Sequence, residues 1–247
     1  MSQDSTAITT KASSLAAQVR ADIIRGVFPP GSKLPTKDLS DRYGVSLIPM
    51  REALSRLASS GFVVAEDQRG FRVAAVSATE LTDITNVRVF VEQEALRRSI
   101  THGDLDWEAK LISIHHRLGH LPLRDGQQLS IATEWEQAHD AFHAALLAAC
   151  DSKWLLNLSQ ILREQSTRYR HISVRAGRSN AATRRNVAAE HRALLDAALK
   201  RDALTATELL ARHFLTTKEL VLESTAPPDA ANTPAAAAHA SVAHLER

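Results

Sequence analysis

Through most of this chain apolar residues recur every three or four positions, the spacing of a helix with one buried face. In "SSLAAQVRADIIRG" Leu15, Val19 and Ile23 fall at i, i+4 and i+8, which predicts a helix from Ser13 that stops at Gly26. "VFPPGSKLP" ends any helix, because two adjacent prolines and a glycine make a turn. "TKDLSDRYG" predicts a short helix capped by Thr36 and stopped by Gly44. A third helix follows in "GVSLIPMREAL", with Ser46 as cap and Pro49 in the first turn, and runs to about Ser60. The period then changes to that of a strand. "GFVVAEDQRGFRVAAV" holds two β-favouring runs, 62–65 and 71–76, joined by a polar stretch ending in Gly70, and predicts a hairpin. Helix, short helix, helix and hairpin is the order of a winged helix-turn-helix.

Beyond the hairpin the helical period returns and stays. Ser77 and Glu80 form a capping box that opens a second region. Its pattern predicts helices at about 78–101, 104–119, 127–149, 152–175, 182–200 and 202–222. On the fourth of these, Leu158, Leu162, Gln165, Tyr169 and Ile172 form a stripe at 4-3-4-3 spacing, which buries one face. The fold class is therefore mainly α: a winged helix-turn-helix followed by an all-helical bundle of about six helices. The expected organisation is a disordered N-terminus over 1–12, a reader over 13–76, a sensing and dimerising bundle over 77–223, and a disordered Ala/Pro-rich tail over 224–247.

Composition agrees with this pattern. Of 247 residues 44% are hydrophobic, only 4% are aromatic and 9 are Gly, a balance that favours helices over sheets. A single Cys, Cys150, excludes an intramolecular disulfide and fits a reducing compartment. No apolar run approaches the roughly 18 residues of a membrane span, and "MSQDSTAITTKASS" lacks the apolar centre of a signal peptide. A cytoplasmic location is expected. The net charge of +2 divides unevenly: residues 1–76 hold 10 Lys/Arg against 7 Asp/Glu, the remainder 20 against 21. A mildly basic first part is compatible with nucleic acid.

In a helix-turn-helix the second helix enters the major groove and its first residues meet the base edges. Here those are Ser46, Leu47, Pro49 and Arg51. With Met50, Leu54 and Leu57 turned to the core, Arg51 faces the groove. There an arginine can bond guanine O6 and N7 together, a contact worth about 1–3 kcal/mol of base discrimination. Leu47 can touch a thymine methyl, or extend the core stripe three residues before Met50. Lys37, Arg56 and Arg69 can reach phosphate, and Gly70 lets the wing tip approach the minor groove. Taken singly, each of these charges also fits an ordinary solvated face.

The second region carries four histidines at telling positions. "HDAFH" puts His139 and His143 at i, i+4 on one helix face, about 6 Å apart. His191 lies 10 residues before Arg201 and His213 lies 11 after Asp202, in a helical hairpin that turns between them. With equal rise per residue, the two stand at nearly the same height on antiparallel helices. A helix bearing His139 and His143 could close a cluster suited to Zn²⁺ or another first-row metal that prefers imidazole. Glu190, Asp140 and Arg192 are available as supporting partners. Ordinary polar helix positions are the plainer explanation. A zinc-hydrolase reading, with Asp140 as general base, needs a longer carboxylate and a catalytic loop that the chain lacks, so no enzyme is expected.

Residues 13–76 resemble the DNA-binding domain of the GntR family of bacterial transcription regulators, through "LAAQVRADIIRGVFPPGSKL", "LSDRYGVS" and "PMREALSRLASSGFV". The resemblance implies DNA contacts from Arg51 and Lys37. The family usually has arginine at the place of Leu47 and threonine at that of Ile48, which implies an altered operator. Residues 80–222 resemble the FCD-type ligand-sensing domain of the FadR subfamily, through "FH" at 142–143, "EHRALLDA" at 190–197 and "RHFLTT" at 212–217. This implies a metal held by an Asp, a His four later and two further His. The histidines map to His143, His191 and His213, and the first position to His139 with Asp140 beside it. In such domains the metal helps to hold a small carboxylate effector, and Arg88 falls at the ligand-facing arginine.

Carboxylates are best held by fixed guanidinium forks, and "RYR" offers Arg168, Tyr169 and Arg170. Arg88 has Glu92 at i+4, so an ordinary surface pair is its alternative, and Tyr169 on the apolar stripe can simply be core. "RYR", "LLAACDSKWL" and "SLIPMREAL" are similar to the branch whose effectors are C5 dicarboxylates such as glutarate or 2-hydroxyglutarate. The expected protein is a homodimeric repressor on double-stranded operator DNA, modulated by a small organic acid. A switch driven by metal alone and a metallohydrolase are the alternatives.

Overall fold

Two apolar clusters hold most of the buried side chains and divide the molecule into a small reader and a larger bundle. The computed structural model describes residues 11–67, 69–124, 131–176 and 185–225. In the reader, Leu15, Val19 and Ile23 of α1 (Lys11–Ile24) pack with Met50, Leu54 and Leu57 of α3 (Leu47–Ser59). The 3-4 spacing visible in the sequence is what aligns both stripes on one core. Between them, α2 (Thr36–Tyr43) contributes Leu39 and ends at Gly44, whose φ of 64° lets its own N–H reach the Asp41 carbonyl and the Val45 N–H reach the Ser40 carbonyl. That left-handed residue makes the turn of the helix-turn-helix.

The wing is a three-stranded antiparallel sheet in the order β1-β3-β2. β2 (Val63–Glu66) and β3 (Gly70–Val73) form the hairpin, with Val63 opposite Val73. β1 (Lys33–Leu34), inside the segment expected to be only a turn, adds to the other edge and buries Leu34 opposite Phe71. Two residues are too few to show an alternating period. The second hairpin strand ends at Val73, three residues short of its expected end.

In the bundle, α4 (Ala78–His102) opens with the Ser77 hydroxyl accepting from the Glu80 N–H at 2.9 Å. It packs against α7 (Lys153–Ala176) and α9 (Ala203–Thr225). α5 (Leu105–Gly119) pairs with α6 (Thr133–Leu147), and α8 (Val187–Leu199) with α9. The Trp107 indole N–H donates to the Ala145 carbonyl at 2.8 Å and fixes α5 on α6. Reader and bundle touch through α1 and α7: the Gln165 amide donates to the Ser60 carbonyl, and Arg20 pairs with Glu164. Among the described residues no helix is long and apolar enough to cross a membrane.

Several boundaries move. α1 starts at Lys11 with Ala12 buried, inside the segment expected to be disordered, because alanine continues the stripe without looking hydrophobic. α9 runs to Thr225, with buried Ser224 bonded to the Val221 carbonyl, past the expected end of order. The expectations for 1–10 and 226–247 lie outside the described residues. α6 begins at Thr133, not near 127, because Ile131 pairs with Arg124 in a β-bridge. α8 begins after Asn186, whose side chain accepts from the Ala189 N–H at 2.9 Å. On α7 the expected stripe is buried only at Gln165 and Tyr169. Leu158 is exposed, Leu162 is half-buried, and the Ile172 side chain lies outside the described residues.

Candidate DNA interface and metal centre

The turn at Gly44 presents the start of α3 to solvent. Ser46, Leu47, Ile48 and Arg51 are exposed there, while Pro49 is half-buried and Met50 fully buried. Arg51 has no ion-pair partner among the described residues, so its guanidinium is available to an outside acceptor. Leu47 does not extend the core stripe; it is 47% exposed. Lys37 is exposed on α2. Arg56 is exposed and donates to Glu52 at 2.8 Å, a surface pair weak enough to yield to phosphate. Arg69 and Gly70 stand exposed at the tip of the wing, where the φ of 90° at Gly70 admits the sharp turn.

Inside the bundle, α6, α8 and α9 bring His139, His143, His191 and His213 together, all four buried. One ligand nitrogen from each lies within 4.8 Å of the others. Ring centroids are 4.6 Å apart for the pair on α6 and 5.0 Å for His191 and His213 across the α8–α9 hairpin. His139, not Asp140, belongs to this group. Asp140 is partly exposed, 3.6 Å from His139 Nδ1 and 3.7 Å from Arg170. Arg192 turns outward to Asp196 and takes no part.

The donor set fits a divalent transition metal. Burial holds His139 and His143 well below the ordinary imidazole value. Burial also lowers His191, and brings His213 down to about 4 against the opposing bond from Glu190. Neutral imidazole is the ligating form. Both ring nitrogens of His143, Nδ1 of His139 and Nε2 of His191 are buried without a hydrogen-bond partner. Orphaned buried nitrogens are costly unless something else binds them. His213 Nδ1 meets Glu190 Oε2 at 2.7 Å, which fixes the ring and leaves its other nitrogen for the centre.

Next to His139 and His213 a small cavity opens between α4, α7 and α9, lined also by Arg88, Tyr169, Arg170 and Lys218. Its volume of about 20 Å³ is room for roughly one water. The Arg88–Glu92 pair is not on the surface: its side chains are 7% and 0% exposed, with Nε donating to Oε1 at 2.8 Å. The Arg88 guanidinium also lies 3.8 Å over the Phe214 ring. Burial lowers the Arg88 pKa and Glu92 counters it. Arg170 donates to Glu136 at 3.1 Å. The Tyr169 hydroxyl donates to Glu80, and burial with that bond raises its pKa to about 12. Arg168 is not among the residues lining the cavity; it donates to Glu80 at 3.1 Å.

Arg185 was not legible as part of this site. It donates to both Glu190 oxygens at 2.6 Å and to the Thr217 hydroxyl at 2.8 Å, bracing the carboxylate that orients His213. It stands before α8, in the stretch that the pattern assigns to the helix over 182–200. Charge in "RRN" is its only signal.

Residues 11–73 match the family described as bacterial regulatory proteins, gntR family, and residues 83–216 match the FCD domain. The chain is 42% identical over 198 residues to the HTH-type transcriptional regulator BphR of Paraburkholderia xenovorans (strain LB400), covering 80% of this chain and 79% of that one. It is 35% identical over 208 residues to the HTH-type transcriptional repressor GlaR of Escherichia coli (strain K12), covering 84% and 94%. Among solved structures, E. coli McbR/YncC shares the fold with a TM-score of 0.67 at 20% identity, over 85% of this chain and 96% of that one. These relatives are regulators, and the metallohydrolase alternative falls. Matched along both its parts, the chain belongs to the GntR family of bacterial transcription regulators, with a gntR-type domain followed by an FCD domain.

Proposed function

We propose that this regulator is a homodimeric repressor whose grip on operator DNA is loosened by a small dicarboxylate, held beside a metal bound by His139, His143, His191 and His213. The observation that carries this reading is the cluster of four buried imidazoles, two of which, His139 and His213, line a cavity together with Arg88, Arg170 and Lys218. Held by these imidazoles, Zn²⁺ or a similar ion would supply fixed positive charge to one carboxylate. Arginine forks and the hydroxyls of Thr85, Ser166 and Thr217 serve the rest of the acid. A C5 diacid such as glutarate or 2-hydroxyglutarate follows from the family resemblance. Repression is supported by the relative named as a repressor at 35% identity.

The path to the reader runs along α7. Tyr169 and Arg170 line the cavity, while Gln165 and Glu164 on the same helix hold Ser60 and Arg20 of the reader. A diacid that opens the cavity moves α7, and with it the pose of α3.

Dimerisation is served by an apolar face. Val87 and Phe90 on α4, and Trp154, Leu158 and Ile161 on α7, are exposed, Phe90 and Trp154 at 78% and 77%. α7 runs back along α4, with Arg168 beside Glu80 and Arg163 near enough to Arg88 to lower its pKa. Equal rise per residue then sets 158–161 level with 88–91. A second copy seated there supplies the second reader that a two-half-site operator requires.

Native mass spectrometry of the purified protein and fluorescence polarisation with operator test the reading. One metal per chain, and at least a tenfold loss of operator affinity with glutarate or 2-hydroxyglutarate, are expected. The size of the cavity favours a second reading, metal alone as effector. Chelation that abolishes operator binding while no diacid alters it would select that reading.

A further inference from the structure

We infer that Leu47 and Ile48 read thymine methyl groups in the operator, so that this regulator takes part of its specificity from apolar contact. The inference rests on the assignment of α3 as the DNA-reading helix. Ile48 is 80% exposed and Leu47 47%, at the tip of a helix whose other aliphatic residues, Met50, Leu54 and Leu57, are buried. Among the described residues Ile48 is left almost open and Leu47 half open. Leu47 and Ile48 precede Arg51 by four and three residues, so all three share one face of α3. A face that places a guanidinium on base edges places these two side chains in the same groove.

In the major groove only thymine among the four bases offers a methyl group. Two adjacent aliphatic side chains find no hydrogen-bonding partner there and gain by covering that methyl. Each buried methyl is worth about a fourfold change in affinity. The predicted half-site pairs a guanine under Arg51 with one or two neighbouring thymines under Leu47 and Ile48.

The test uses the full-length protein. Duplexes are enriched from a randomised pool by binding. Each thymine of the recovered half-site is then replaced by deoxyuridine, which removes the C5 methyl and nothing else. Dissociation constants are read by fluorescence polarisation at one fixed salt concentration. At one or two positions the loss should be about fourfold, and Ile48→Ala or Leu47→Ala should abolish the sensitivity at its own position. Both side chains are exposed, so these variants keep their fold. A recovered site that tolerates every deoxyuridine overturns the inference and leaves the regulator standing. Sensitivity that persists in both variants overturns it as well, since another group then reads the methyl. A pool that yields no preferred sequence overturns the DNA-reading assignment together with this inference.

Discussion

At the scale of single residues, two kinds of side chain differ in what their surroundings ask of them. Arg51 is exposed and waits for an acceptor. Arg51→Ala should cost about 1–3 kcal/mol of specific binding, read as a roughly 5- to 150-fold weaker operator complex by fluorescence polarisation, with the thermal midpoint unchanged. The histidines of the centre are buried, and their protons are linked to folding. Burial keeps them neutral in the folded chain, with His213 brought down to about 4, while the unfolded chain takes up protons near pH 6.5. Their contribution to stability is therefore complete above pH 6.5 and is lost as the pH falls below it. For His213 alone the loss at pH 5 is about 2 kcal/mol. Glu190, lowered to about 2 by Arg185 and His213 in spite of burial, does not contribute in this window. Thermal melts of chelator-treated protein should show a clear fall in midpoint between pH 7 and pH 5. Equal midpoints would contradict the neutral cluster.

At the scale of elements, α7 is the piece that belongs to both halves. It lines the cavity with Ser166, Tyr169 and Arg170 and holds the reader through Glu164 and Gln165. Gln165→Ala removes a hydrogen bond worth about 1 kcal/mol and should leave metal content unchanged. The diacid-induced loss of operator affinity should shrink from tenfold to less than about threefold, measured in the same titration. The sequence made most elements legible where a stripe was long: Leu15, Val19 and Ile23 on α1, or Met50, Leu54 and Leu57 on α3. It hid β1, because a two-residue strand has no period. It also misplaced the starts of α6 and α8, where a β-bridge at Ile131 and a lone asparagine cap decide the boundary. The meeting of His191 and His213 could be counted across one hairpin. The burial of Arg88 and Glu92 could not, since it depends on Phe214 from α9 closing over the pair. Spacing along a helix names neighbours on that helix and says little about what another helix lays on top.

At the scale of the whole molecule, the proposed dimer rests on the exposed aromatics of α4 and α7. Replacing Phe90 and Trp154 together with glutamate should convert the dimer to a monomer by light scattering. Operator affinity should fall at least a hundredfold, because two tethered readers act at a high effective concentration and two free ones do not. A variant that stays dimeric would place the interface elsewhere. The winged half of the molecule, with its own apolar core, should stay folded in that monomer, since none of its buried residues touches the altered face.

The cavity beside the histidines has room for a single water, and that sets a tempo. If the proposed five-carbon acid is the effector, it cannot slide into so tight a space, and α4, α7 and α9 would have to part before it enters and close again behind it. On that proposal the rate of response would be governed by how often those helices breathe, and more acid would quicken it only until that opening becomes the slow event.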